Sequence, residues 1–94
     1  MSRAYDAAKA GLRNAGFLAD YQALPDHLVE KAIRSLTKQV TAHQEWVADP
    51  FLKVARDIDP EQVKHLVEKK WPKEIRVFQE QIEILRDILK ERKK

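Results

Sequence analysis

Two stretches of this chain place their apolar residues at spacings that only a long helix can bring to one side. In the first, Val29, Ile33, Leu36, Val40, His43 and Val47 follow one another at intervals of four, three, four, three and four. This is the seam of a helix lying along a partner at a shallow angle, with Leu28 and Trp46 displaced to its flank. In the second, Val63, Val67, Trp71, Ile75, Phe78, Ile82, Leu85 and Leu89 keep a similar rhythm almost to the end of the chain. Two helices with matching seams predict an antiparallel hairpin. With 94 residues in all, that hairpin must be the centre of a single domain.

The punctuation agrees. Pro25-Asp26 opens the first long helix, which is expected to run over about 26–48. Asp49-Pro50 is a cap followed by proline at the first helical position, so a short connecting helix is expected near 50–58, with Phe51, Val54, Ala55 and Ile58 inward. Asp59-Pro60-Glu61-Gln62 repeats the signal with Gln62 at the capping-box position, and opens a last helix over about 60–91. Pro72 falls inside it. A proline there removes one hydrogen bond and disfavours helical geometry at Trp71. Yet the apolar stripe crosses Pro72 without losing phase, which favours one kinked helix over two helices and a loop.

Ahead of the hairpin, Ser2 suits the cap of a helix reaching about Asn14, and Gly16 suits the left-handed position that would end it. Phe17, Leu18, Tyr21 and Leu24 then read as an apolar connector folding back onto the core. The expected fold class is therefore all-α: a small helical bundle of two long antiparallel amphipathic helices plus two shorter ones. Residues 1–25 form the N-terminal helix and connector, 26–91 the hairpin core, and 92–94 a basic tail.

One helix has more apolar surface than a hairpin uses. On a wheel of about 100° per residue with Ile75 at zero, Ile75, Phe78, Ile82, Leu85 and Leu89 occupy roughly 280–360°. These pair with the seam Val29, Ile33, Leu36, Val40 and Val47. Val77, Ile84 and Ile88 form a second stripe near roughly 180–220°. Left in water, each would forgo about 1.5–3 kcal/mol of burial free energy. The cover is either internal, from the N-terminal residues, or external. An external cover would be a second copy in a homodimer or a helix of another protein, with Val77, Ile84 and Ile88 as the partner interface.

Little in the sequence supports catalysis. His27, His43 and His65 are not at metal-ligand spacing, and Glu61 with His65 lacks the companion Glu-x-x-His sets of a di-iron bundle. No cofactor or metal site is expected. His43 lies on the seam, where a hydrogen-bonded core histidine is the ordinary reading, and it is the one residue whose burial would make the chain pH-sensitive. Ser2 and Ser35 have no nucleophile elbow around them, and Gly11 and Gly16 make no phosphate loop. Arg34, Arg56, Arg76 and Arg86 are the side chains that could line a pocket, but Arg76 and Arg86 fall on the polar side of the last helix. The chain is expected not to be an enzyme.

The sequence pI near 9.3 points to nucleic acid less than it suggests. Lys90, Arg92, Lys93 and Lys94, less Glu91, account for the whole net charge of +3, and cations at a helix C-terminus complement its dipole. Lys64, Lys69, Lys70 and Lys73 add a modest basic side, diluted by Glu61, Glu68 and Glu74. Those eight cations are the candidate contacts for nucleic acid, the alternative to a protein partner. No uninterrupted apolar run exceeds three residues, so no membrane span is expected. No apolar segment follows Arg3, and there is no cysteine, so a reducing, cytoplasmic setting is expected. The sequence thus predicts a protein-interaction or accessory module acting through its last helix.

Overall fold

The last helix sets the length of the molecule. A computed structural model describes all 94 residues, and in it helical structure runs without a loop from Pro60 to Arg92. The run has three parts: α4 (Pro60–His65), a π turn (Leu66–Lys70) and α5 (Trp71–Arg92). At about 1.5 Å per residue it spans about 50 Å, close to the longest dimension of 52 Å. Asp59 caps it, its Oδ1 accepting from the Glu61 N–H at 2.9 Å, with Pro60 at the first position.

Pro72 is accommodated by the π turn. The Trp71 N–H donates to the Leu66 carbonyl, five residues back rather than four. This wider turn relaxes the crowding that a proline ring imposes on the preceding turn of an α-helix. The helix therefore continues through Pro72, as the unbroken phase of the apolar stripe predicts.

α3 (Asp26–Ala48) lies antiparallel to α5 and makes the most extensive contact in the fold. α1 (Arg3–Lys9) and α2 (Ala15–Gln22) pack on each other and on α5. The core they build joins Tyr5, Ala8 and Leu18 to Val29, Ile84, Leu85 and Ile88. The all-α hairpin is thus the architecture expected from the sequence.

Two shorter elements differ from expectation. The first helix does not reach Asn14; it stops at Lys9. Gly11 takes the left-handed conformation (φ 82°), and so does Asn14 (φ 66°). Asparagine tolerates that geometry better than other residues with a side chain. Gly16 lies inside α2, and the expected connector Phe17–Tyr21 is helical. The second difference lies in the bend. Only a single 3-10 turn, Pro50–Leu52, forms where a helix over 50–58 was expected. Val54 and Ile58 are half-buried, but Phe51 (40%) and Ala55 are exposed. The chain must reverse direction over 49–59, and Asp59 before Pro60 is held extended (ψ 125°). Little length remains there for a helix and two turns.

Candidate interaction surface on the last helix

The second apolar stripe has two fates. Ile84 (0%) and Ile88 (2%) are buried in the core with Tyr5, Ala8 and Leu18, so neither is open to a partner. The expectation that they form an external interface is corrected: α1 and α2 supply the cover from within. An alanine-rich first helix suffices because Ala8 permits close approach while Tyr5 fills the adjoining volume.

Polar contacts fix this cover in place. The Ser2 backbone N–H and hydroxyl both donate to Asp87 Oδ2, at 2.8 and 2.7 Å, while the Ser2 hydroxyl accepts from the Tyr5 N–H at 3.2 Å. Asp87 is itself buried, although the sequence pattern assigns it to the polar side. On the wheel it falls near roughly 120°, inside the polar arc, so the pattern alone gave no signal of its burial. Arg13 Nε donates to Glu80 at 2.6 Å, and Asn14 Nδ2 donates to the same oxygen at 3.4 Å. Arg92 donates to Asp26 and to the carbonyls of Gln22 and Leu24, at 2.5, 3.0 and 2.6 Å, tying the end of α5 to the α2–α3 turn.

The hydrogen bonds from the N-terminal segment go no further than Glu80, and neither Val77 nor Phe78 packs against the covered core. Val77, one turn further along the stripe, is half-buried and lines a shallow, open depression with Phe78, Glu74, Lys70 and Lys73. The hairpin seam here is thin as well: Val40, Val47, Ile75 and Phe78 are only half-buried, whereas Val29, Ile82 and Leu85 on the same seam are buried. Ile33, Leu36 and Leu89 are half-buried but pack against the covered core.

An aromatic cluster around His43 holds this end of the hairpin. The imidazole is buried (5%), with its ring centroid 4.5 Å from Trp46 and 5.2 Å from Phe78, and Trp46 lies 5.7 Å from Trp71. Nδ1 stands 2.7 Å from the Gln39 carbonyl oxygen, and Nε2 2.7 Å from a Glu74 carboxylate oxygen. A carbonyl and a carboxylate both accept, so the ring meets both as a donor only when it carries both protons. His43 is thus a hydrogen-bonded seam residue that fixes Glu74.

The candidate cations fall into two separate groups. Lys69, Lys70 and Lys73 surround one depression with His65, and no carboxylate lies within ion-pairing distance of these lysines or of Lys64. Lys90, Arg92, Lys93 and Lys94 lie at the far end, with about 25 Å of helix between Lys73 and Lys90. Arg92 is engaged with the α2–α3 turn and Lys94 pairs with Glu91 at 3.3 Å. The eight therefore do not form one basic face.

No three His, Asp or Glu side chains converge as metal ligands, and no helix is long and apolar enough to cross a membrane. No protein-family model, curated protein or solved structure matches this chain.

Proposed function

We propose that this chain is a non-enzymatic protein-interaction module whose docking surface is the uncovered half of its last helix, centred on Val77 and Phe78. The observation that carries this reading is the mismatch of lengths. The second stripe continues past Glu80 to Val77, while the hydrogen bonds from the N-terminal segment reach α5 no further than Glu80, through Arg13 and Asn14 between α1 and α2. Half-buried apolar side chains beside an uncovered helix face offer burial free energy to a partner, at about 25 cal/mol per Å² of apolar area removed from water. The absence of cysteine fits action in a reducing compartment such as the cytoplasm.

Paired substitutions on the same stripe test the reading. Ile84→Glu should unfold the chain, because it places a charge in the core. Val77→Glu should leave the helical circular dichroism and the urea midpoint nearly unchanged. Photo-crosslinking in cells from position 77 should give a defined protein adduct that position 90, at the other end, does not. Unfolding of Val77→Glu to the same degree as Ile84→Glu would show that the stripe is core throughout, and the reading would fall.

A further inference from the structure

Resting on that reading, we infer that the occupant of the uncovered half is an acidic amphipathic helix, docked on the last helix beyond the end of the N-terminal cover. Lys70 and Lys73 line the same depression as Val77, and on the wheel Lys73 falls near roughly 160°, beside the sector of Val77, Ile84 and Ile88. The stripe that is apolar under α1 and α2 thus becomes one apolar residue flanked by lysines where the cover ends. Three shallow depressions share Lys70 and continue this track: one reaches Val77 and Phe78, one is bounded by His65 and three lysines, and one reaches Leu66 and Ile58. From Leu66 to Val77 the track is about 17 Å long, or roughly three turns of a docked helix.

Charge selects the occupant. Lys69, Lys70 and Lys73 have no ion-pair partner within the chain, Glu68 beside them included, and Glu74, which lines the same depression, is committed to His43. The other acid on the track, Glu61, stands at its far end beside Ile58. An occupant with carboxylates flanking an apolar strip would pair with all three lysines while covering Val77 and Phe78. A second copy fits less well. A two-fold interface apposes the same patch on both subunits, which brings two patches of unpaired lysines together. Nucleic acid would engage the lysines but leave Val77 and Phe78 uncovered, with Glu61 and Glu74 facing its phosphates.

Fluorescence anisotropy tests this with the full chain and two labelled synthetic peptides of about 14 residues. One carries Leu at helical spacing and Glu elsewhere; the other has Lys in place of each Glu. The acidic peptide should bind and the basic one should not. Lys70→Glu/Lys73→Glu should weaken binding by at least about tenfold. Val77→Ser should weaken it by a smaller factor, and Lys90→Glu should leave it unchanged, with circular dichroism showing each variant folded. Absence of acidic-peptide binding would overturn the inference, as would equal losses in the Lys90 variant. So would tighter binding of duplex DNA that is indifferent to Val77→Ser. If light scattering instead shows a dimer that Val77→Glu dissociates, the acidic-helix inference fails while the interaction-module reading stands. If neither peptide binding, self-association nor a position-77 adduct is found, both fail.

Discussion

The two ends of the hairpin use the same pair of helices and stabilise them by different means. At the end where α1 and α2 lie on α5, three layers enclose Val29, Ile84 and Leu85 completely. At the other end no third helix lies over α3 and the last helix, only the bend at Pro50–Leu52 packs beside them, and the best-buried groups are Trp71 and His43. Two helices in contact leave the flanks of their shared seam in water, because each side chain on the seam can be enclosed from only part of its circumference. A third layer is needed for full burial. The Trp46, Trp71 and Phe78 rings compensate in part, since large planar side chains bury much area within a thin layer.

The largest test of that contrast is a pair of truncations. Ile84→Ala should cost about 3 kcal/mol, as removal of a fully enclosed side chain does. Val47→Ala, half-buried on the two-layer end, should cost about 0.8 kcal/mol, half the full transfer value of its two methyl groups. Urea midpoints measure both, and equal losses would abolish the distinction. Next comes the anchor of the third layer. Asp87→Ala should cost about 2 kcal/mol by leaving the Ser2 N–H and hydroxyl without their acceptor. Amide exchange should quicken first in α1, with little change around His43. At the opposite end, His43→Leu should cost about 1–2 kcal/mol, losing the imidazole's polar contacts with Gln39 and Glu74 and its aromatic contacts. Exchange there should quicken in the C-terminal half of α3 and leave α1 protected, a pattern the Asp87 variant should reverse.

The smallest effect is expected at Pro72. Pro72→Ala supplies a hydrogen-bond donor and removes the proline ring, but it also widens the conformational freedom of the unfolded chain. The net change should be within about 1 kcal/mol. Loss of the π turn, seen as normal protection of the new residue-72 amide by a partner four residues back, would show that the proline causes it. Persistence of the turn would assign it to the packing of Trp71.

Legibility of the fold followed the length of each signal. The seam from Val29 to Val47 repeats over six positions, and its phase outweighs any single misplaced residue. The N-terminal segment offers only Ala4, Tyr5, Ala8, Leu12 and Ala15, too few and too small to show that a break falls at Gly11–Asn14. Leu12, part of that expected stripe, is 69% exposed because it sits in the break itself. In the bend, Asp49-Pro50 correctly marked a turn of helix, but a starting signal carries no information about how far the helix continues. The candidate interface was legible as a stripe and illegible as a surface. Val77, Ile84 and Ile88 look alike on a wheel, and only the covering helices separate them.

The sequence by itself determined the two long helices, their antiparallel pairing and the passage of the last one through Pro72, because periodicity is a property of neighbouring residues along one axis. The tertiary structure decided which part of the second stripe is core, why Asp87 is buried and where the lysines remain unpaired. Those outcomes depend on how far the segment ahead of Asp26 reaches when it folds back. That reach is set by the break at Gly11 and Asn14, and it is fixed by contacts from Ser2 to Asp87 and from Arg13 to Glu80, far apart in the chain.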